Sequence, residues 1–392
     1  MTEQDAVLAQ WLRLAKSGGQ GVLATVVKVE GSSYRRPGAR MLIDADGGHV
    51  GSLSGGCLEG HLVKRAWWLT EREPAVVCRY DTAADEDAQW SFGLGCDGAI
   101  HVLLERLDGC ASNPLLAAIG SAQRQMRAAG AAVVIAQQGT AVKIGARWVH
   151  LPEGPHEGGF GDHALMDRVD ADLADVIECG RSGHRRYALA QGGAVEVFLE
   201  CLAPPPRLVV FGAGHDAVPL VRLAKRLGWH VTVADGRPHF ARPDRFPEAD
   251  RVCATTAGDP LAGCEVSSQC AVVVMTHSVD QDRALLRRLL PLGLPYLGQL
   301  GPRTRTDRLI DELASAGAID PQRGRATLHY PVGLDIGADN AEEIALAVIA
   351  EITAVRAGRS GGMLRRREGP LHLRDPQMAT VTLCPASGQI AA

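Results

Sequence analysis

Regular alternation of hydrophobic and polar positions indicates strands in the first half of the chain. Val22–Val29 and Ala99–Leu104 alternate with a period of two, as strands with one buried face do. Before them, Met1–Lys16 carries its apolar side chains at helical spacing, which predicts an amphipathic helix. We therefore expect residues 1–203 to form an α/β domain.

The first half also contains a repeat, which appears when the chain is aligned with itself. Two blocks recur at a shift of 107 residues with no gap between them, and a third recurs at a shift of 95. The matching blocks are Ala24–Val27 with Ala131–Val134, Gly38–Met41 with Gly145–Trp148, and Gly98–Glu105 with Gly193–Glu200. The sequence thus predicts two copies of one α/β unit, at about residues 20–107 and 127–202.

The repeat helps to separate scaffold from function, because features common to both copies are expected to serve folding. Three segments belong to the first copy alone: Ser32–Pro37, Gly55–Cys57 and Phe92–Cys96. We therefore expect functional residues in these three loops. The candidate cofactor contacts in the first loop are Ser33, Arg35 and Arg36.

Cys57 and Cys96 are candidate metal ligands as well as candidate cofactor contacts. Each follows a glycine at a predicted turn, and a predicted helix, Leu58–Leu69, comes after Cys57. A thiol at such a position is expected to have a lowered pKa and an accessible sulfur, and a pair of soft thiolates suits a soft metal or a sulfur-bearing group. The other cysteines are predicted to be inert, buried thiols: Cys78, Cys110, Cys179, Cys201, Cys253, Cys264, Cys270 and Cys384.

A second domain is predicted after Pro204–Pro206, a stiff segment directly before a new strand. Leu208–Phe211 is a short apolar strand, and it leads through Gly212–Ala217 into a helix. In this G-x-G-x-x-A turn, the glycines let the backbone approach a phosphate, and the start of the helix supplies N–H donors. We therefore predict a Rossmann-type, doubly wound parallel sheet over residues 204–357.

Further candidates lie at the predicted strand ends, which form the ligand edge of such a sheet. Asp235, about twenty residues after the turn, can accept hydrogen bonds from ribose hydroxyls, whereas Arg237 suits an additional phosphate. Asp216, inside the turn, would repel a pyrophosphate unless it points away. The candidate contacts at this edge are Gly212, Gly214, His215, Asp235, Arg237, His277, Gly301, Arg303 and Arg305.

Composition and charge exclude several classes of protein. With 46% hydrophobic and 22% charged residues the chain is typical of a globular protein, and its net charge of -4 gives no reason to expect nucleic acid as a partner. No apolar stretch approaches the length of a membrane span, and the acidic start does not resemble a signal peptide. We expect a cytoplasmic protein with reduced cysteines and a flexible tail over residues 358–392.

Several long motifs resemble the XdhC/CoxI family, accessory proteins for molybdenum hydroxylases such as xanthine dehydrogenase and carbon monoxide dehydrogenase. The resemblance extends to about residue 356. The matching segments are Gly31–Met41, Gly51–Glu59, Gly212–His215, Asp235–Pro238 and Pro331–Ala338. Two positions depart from the family pattern: Pro302 stands where a serine is common, which removes one N–H donor, and Asp216 stands where an apolar residue is expected.

The resemblance implies a chaperone that binds the molybdenum cofactor, protects it while the metal acquires its sulfido ligand, and hands it to an apo-hydroxylase. The thiols of Cys57 and Cys96 then suit the metal or its dithiolene, and the arginines and N–H groups suit the phosphate of the pterin. A homodimer is expected, and a cysteine desulfurase is a further candidate partner.

Two other functions remain open. The Rossmann turn could hold NAD(P) or another nucleotide in an oxidoreductase, for which His277 is the one obvious proton donor. Alternatively, Cys57 or Cys96 could carry a persulfide in a sulfur-transfer protein. Because the distinctive residues lie in the cysteine-bearing first domain, we favour the chaperone, which is not an enzyme in its own right.

Overall fold

The computed structural model describes residues 2–31, 33–81, 98–109, 112–368 and 379–382, without the side chains of Cys57, Ala379, Thr380 and Thr382. Contacts within the chain divide it into two compact units. We call residues 2–204, with the strand at 379–382, the N-terminal unit, and residues 205–368 the Rossmann unit. No helix within these described ranges is both long and apolar enough to cross a membrane.

The N-terminal unit consists of two copies of one arrangement, each with a helix, three strands, a second helix and two further strands. The first copy contains α1 (Glu3–Ser17), β1 (Gln20–Gly31), β2 (Arg40–Asp44), β3 (His49–Gly51), α2 (Cys57–Leu69), β4 (Ala75–Asp81) and β5 (Gly98–Asp108). The second contains α3 (Pro114–Gln125), β6 (Ala129–Gln138), β7 (Arg147–His150), β8 (Glu157–Gly159), α4 (His163–Cys179), β9 (Gly183–Ala188) and β10 (Ala194–Leu202). The strand order is β3-β2-β1-β5-β4 in one sheet and β8-β7-β6-β10-β9 in the other, so each strand has the same place as its counterpart.

Hydrogen bonding corrects the ungapped alignment of the two copies. In each copy, one valine of the first strand bonds through both its N–H and its C=O to the residues just before the second strand. These valines are Val26, bonded to Gly38 and Ala39, and Val134, bonded to Gly145 and Ala146. Val26 therefore corresponds to Val134, and the loop that follows is one residue longer in the first copy. A β-bulge lies directly after this valine in both copies, so the extra residue is accommodated in the loop and the strand pairing is unchanged.

Each sheet of the N-terminal unit buries one face under its own helix. Leu58 and Leu62 of α2 join the core of the first copy, and Leu165 and Val169 of α4 join that of the second. Residues of both sheets also pack against each other in a shared cluster, which contains Val27, Leu103, Val133, Ile135 and Phe198. Helices α1 and α3 pack together beside this cluster.

Two buried ion pairs join the copies reciprocally. Arg40 of the first copy pairs with Glu200 of the second, and Arg147 of the second pairs with Glu105 of the first. The two arginines are equivalent in the repeat, and so are the two glutamates, so one contact is made twice. No side chain of the four is more than 10% exposed. Such reciprocity is the property of an isologous interface, and it relates the copies by an approximate twofold axis.

The predicted flexible tail contains a strand, and the prediction is corrected there. β17 (Ala379–Thr382) pairs in parallel with β9, and Val381 packs on the core of the second copy. The outer edge of β9 is open to an added strand, and the run of β-branched residues in β17 suits that place. Of the rest of 358–392, the structure describes 358–368, which include a 3-10 turn at Leu364–Arg366.

The Rossmann unit is a parallel sheet in the order β13-β12-β11-β14-β15-β16 with helices on both faces, which confirms the predicted fold class. Its elements are β11 (Arg207–Phe211), α5 (Ala217–Arg226), β12 (His230–Asp235), β13 (Arg251–Ala254), β14 (Cys270–Val274), α6 (Val279–Leu289), β15 (Tyr296–Gln299), α7 (Arg303–Ser315), α8 (Pro321–Thr327), β16 (Leu328–His329) and α9 (Ala341–Arg356), with 3-10 turns at Pro243–Arg245 and Leu290–Leu292. Helices α5 and α9 pack on one face, and α6 and α7 pack on the other. The chain changes direction across the sheet between β11 and β14, the place where ligands bind in such folds.

Candidate functional site

The glycine turn after β11 packs closely against the next strand of the switch point. Gly212 has φ +121°, and a Cβ at this position would collide with the carbonyl group of Met275 at the end of β14. The Gly212 amide donates to Ala234 O at 2.7 Å, and the Ala213 amide donates to Asp235 Oδ2 at 2.7 Å. Only glycine fits this approach, so the turn is fixed between β12 and β14.

The carboxylate of Asp235 is occupied within the chain. Its side chain is fully buried and accepts hydrogen bonds from the Ala213 amide, the Arg237 amide at 2.8 Å, and the Arg237 guanidinium at 2.8 and 2.9 Å. Burial alone would raise the pKa of Asp235, but Arg237 and the two amides outweigh it and hold that pKa below its ordinary value. In this structure the two residues bind each other and fix the turn, and the ribose contact of Asp235 and the phosphate contact of Arg237 stay predictions.

Asp216 and His277 meet at the switch point. His277 Nε2 lies 2.8 Å from Asp216 Oδ2, and Asp216 Oδ1 is buried with no hydrogen-bond partner in the described part of the chain. The carboxylate lies against Gly214, where an added Cβ would collide with it. The second glycine of this turn, here Gly214, is the usual point of approach for a pyrophosphate. The carboxylate of Asp216 therefore lies where a dinucleotide would place its own negative charge.

His277 adopts a backbone conformation that is rare for its residue type. Its φ is +60°, and apart from Met126 at the end of α3 no other non-glycine residue in the described ranges has a positive φ. Its side chain is 57% exposed. Left-handed backbone in a side-chain-bearing residue is concentrated at binding and catalytic sites, so this geometry favours His277 as a functional residue.

The start of α5 offers unused N–H donors. The amides of Gly214 and His215 donate to no acceptor among the residues that the structure describes, and Asp216 precedes the helix without capping it. Free amides at the start of a helix bind anions through hydrogen bonds and the helix dipole. This turn can therefore bind a phosphate, provided that the phosphate avoids Asp216.

A second buried carboxylate organises the loops after β14 and β15. Asp282 is fully buried and accepts from Thr276 Oγ1 at 2.5 Å, from Gln299 Nε2 at 3.0 Å and from the guanidinium of Arg305. Burial raises the pKa of Asp282 above its ordinary value, in spite of these donors. Arg305, which we predicted as a ligand contact, is thus an internal partner of Asp282.

Arg303 and Gly301 lie at the start of α7. The guanidinium of Arg303 stacks 5.2 Å from the centre of the Tyr330 ring, and Gly301 has φ +132°. Pro302 occupies the N-cap position without a side chain that could accept from the helix, and as a proline it has no backbone N–H to donate. Arg303 stays a prediction as a phosphate contact.

In the N-terminal unit, Glu59 holds the turn that precedes α2. Its carboxylate accepts from the amides of Leu53, Ser54 and Gly56 at 2.7–2.9 Å, and from the hydroxyls of Ser52 and Ser54 at 3.0 and 2.6 Å. Burial opposes ionisation, but the Ser54 hydroxyl and the amides lower the pKa of Glu59 to about 2. The turn therefore closes around a buried negative charge, and its outer side stays open.

The equivalent turns in the two copies differ in their exposure. Gly55 and Gly56 are exposed, and a Cβ at either would meet no atom within 4 Å. In the second copy, Asp162 stands at the place of Gly55 and caps α4 by accepting from the Leu165 amide at 3.0 Å. Cys57 is the first residue of α2, and Cys96 lies outside the described residues.

The remaining predicted residues of the N-terminal unit line one loop. Ser33 Oγ bonds to both the amide and the carbonyl of Arg35, and the Arg35 guanidinium pairs with Glu3 of α1. Arg36 is exposed in the same loop. Their contact with a cofactor stays a prediction.

The cysteines with no predicted function differ in exposure. Cys270 is buried, and Cys78, Cys201, Cys253 and Cys264 are half-buried. Cys179 is exposed, because it is the last residue of α4 beside the helix-ending Gly180, so the prediction of a buried thiol is wrong there. Cys110 and Cys384 lie outside the described residues.

Sequence reasoning missed two carboxylates that organise the candidate loops, one in each unit. Glu59 could have been found, because a glutamate three residues after the N-cap is a known helix-start pattern. Asp282 lies in the first turn of α6, and its partners Thr276 and Gln299 come from the ends of two different strands. No local pattern indicates such a meeting.

Known families match both units of the chain. The model described as the XdhC and CoxI family matches residues 14–81, and the model described as the XdhC Rossmann domain matches residues 208–352. Over 338 residues the chain is 33% identical to a probable xanthine dehydrogenase subunit of Bacillus subtilis (strain 168), and the match covers 86% of this chain and 93% of that protein.

Two further similarities extend over most of the chain. The molybdenum cofactor insertion chaperone PaoD of Escherichia coli (strain K12) is 24% identical over 361 residues, which cover 91% of this chain and 90% of that one. Among solved structures, a xanthine dehydrogenase from Bacillus halodurans has a TM-score of 0.70 and 29% identity, with 92% of this chain and 97% of that chain covered.

Proposed function

Because the chain belongs to the XdhC and CoxI family, we propose that it is an accessory protein that binds the molybdenum cofactor and delivers it to a molybdenum hydroxylase. The name of PaoD, a molybdenum cofactor insertion chaperone, supports this role for a relative of nearly equal length. The proposal includes support of the cofactor's sulfuration and delivery to a hydroxylase of the xanthine dehydrogenase or carbon monoxide dehydrogenase type. A homodimer and a cysteine desulfurase as sulfur donor belong to the same proposal.

The observation that carries the proposal is the open turn before α2. The two copies share their scaffold, yet the first copy has two exposed glycines and a cysteine where the second has Asp162, which caps α4, and the two residues after it. Space beside Gly55 and Gly56 allows a ligand to approach the backbone, and a thiolate is the protein ligand that best suits a soft metal or sulfur-rich group. We assign Cys57 to the molybdenum end of the cargo, and Cys96 is its proposed companion.

The Rossmann unit supplies donors of the kind that bind phosphate. The amides of Gly214 and His215 and the exposed ring of His277 lie at the switch point, and Arg303 starts α7. We propose these groups as contacts of the phosphate of a pterin. The same region disfavours NAD(P), because Asp216 lies beside Gly214 and Asp235 already accepts four hydrogen bonds.

The test is chemical analysis of the full chain purified from a molybdenum-replete host. The proposal predicts that molybdenum and an extractable pterin copurify with the protein, and that neither does from a matched host that cannot synthesise the pterin. Titration with NADH and NADPH in the presence of carbonyl substrates is the comparison: rapid and specific hydride transfer from either to a carbonyl, together with no bound molybdenum, would replace the chaperone by an oxidoreductase.

A further inference from the structure

Three side chains of the second copy form a cluster that the proposed function does not use. His150 ends β7, His156 directly precedes β8 across the hairpin, and Asp170 lies in the middle of α4. The two imidazole rings stack with centroids 3.9 Å apart and planes 11° apart. His150 is buried and His156 is exposed, so the cluster begins in the core and ends at the solvent.

We propose that His150, His156 and Asp170 form a binding site for a divalent transition-metal ion of the zinc type. One ligand atom from each residue lies within 4.8 Å of the other two. Zinc binds nitrogen and oxygen ligands at about 2.0–2.2 Å in tetrahedral geometry, so two ligand atoms of one ion lie about 3.4 Å apart. A movement of about 1.5 Å by the exposed His156, with rotation of its ring out of the stack, brings the ligand atoms to such distances.

The carboxylate of Asp170 is hydrogen-bonded to His150, and an ion would take the place of the proton between these two ligand atoms. Oδ1 lies 2.5 Å from His150 Nε2 and accepts a hydrogen bond from Trp148 Nε1 at 2.6 Å. An outer residue that holds a ligand in place is a common feature of metal sites, and Trp148 has that position here. Two imidazoles and one carboxylate suit zinc and neighbouring transition metals, whereas magnesium and calcium prefer oxygen ligands alone.

The internal repeat provides an independent comparison. In the first copy, the position of His156 is also a histidine, His49, but the positions of His150 and Asp170 are Ile43 and Val63, which pack in the hydrophobic core. The scaffold therefore requires neither His150 nor Asp170. These two residues occur together in the second copy, where they can share an ion with His156.

Zinc titration of the full-length protein tests the site. After removal of metal with EDTA, Zn²⁺ is titrated in competition with a chromophoric chelator, under reducing conditions and without cargo. His156→Asn, at an exposed position, and His150→Ile and Asp170→Val, which insert the residues of the first copy, are compared with the unaltered chain. His49→Asn is the matched control.

We expect each of the three cluster variants to lose one equivalent of Zn²⁺ or to bind it at least about tenfold more weakly, since even an outer-shell change costs about 10- to 100-fold. The control should bind as the unaltered chain does. Zinc should also raise the Tm of the unaltered chain and of the control, but not that of the cluster variants. Because every variant keeps all the cysteines, thiolate binding cancels in the comparison. Equal zinc affinity and stoichiometry in His156→Asn and the unaltered chain would overturn the proposal, even if the other two cluster variants failed to fold.

Discussion

The two copies of the N-terminal unit share a scaffold and differ in their chemistry. Both have the same strand order, the same β-bulge and the same arginine–glutamate contact to the other copy. They differ at the Ser33–Arg36 loop, at the turn before the second helix, and at the cluster around His150. We propose that the shared features supply stability, and that the binding groups lie where the copies differ.

The reciprocal ion pairs should show the largest effect, and an equal one in both copies. Arg40→Met and Arg147→Met each leave a buried glutamate without its partner, so each should lower the free energy of unfolding by about 3–5 kcal/mol. Denaturant unfolding of both variants measures this. Arg127→Met, which removes a pair more than 60% exposed on both sides, is the control and should cost less than about 1 kcal/mol. A large cost for only one of the buried pairs would contradict the approximate twofold relation.

The two helix-start turns should differ in what holds them. Glu59→Ala leaves several buried amides without an acceptor and should lower the free energy of unfolding by about 2–3 kcal/mol, whereas Asp162→Ala removes a single cap worth about 1 kcal/mol. Glu59→Ala should also weaken retention of molybdenum, and Asp162→Ala should not. Thermal melts and metal analysis of the two variants measure both effects; equal molybdenum retention would separate the turn from the cargo.

The pH dependence of the free energy of unfolding should also show the role of Glu59, with a smaller effect than its substitution. Its pKa in the folded state is about 2, below the ordinary value of 4.5. A lowered pKa contributes stability that is fully present above pH 4.5 and is lost as the pH falls toward 2. The free energy of unfolding of the unaltered chain should therefore fall more steeply across this range than that of Glu59→Gln. Urea melts at a series of pH values measure the slopes, and parallel curves would show that Glu59 is not ionised in the native turn.

Much of the fold could be predicted from local patterns. The strand–turn–helix at Leu208–Ala217 follows from hydrophobic runs and glycine spacing, and the structure places β11 and α5 there. The gap in the repeat could not be predicted, because the block at Ala24 aligns about equally well with the second copy when it is shifted by one residue. Only the backbone hydrogen bonds of Val26 and Val134 decide the register. The roles of Asp235 and Arg237 were also out of reach, since two residues so close in sequence can bind either a ligand or each other.

Removal of the Cys57 thiol tests the central claim, that the open turn of the first copy holds the cargo. Cys57→Ala introduces the residue that the second copy has as Ala164, so the stability change should be less than about 0.5 kcal/mol. Cys201→Ala, at a half-buried thiol whose pKa burial raises, is the control. Molybdenum bound to each purified variant is the measurement. We predict that Cys57→Ala has the same Tm as the unaltered chain but binds at least about tenfold less molybdenum. Cys201→Ala should bind as much molybdenum as the unaltered chain. Undiminished molybdenum in folded Cys57→Ala would contradict the account.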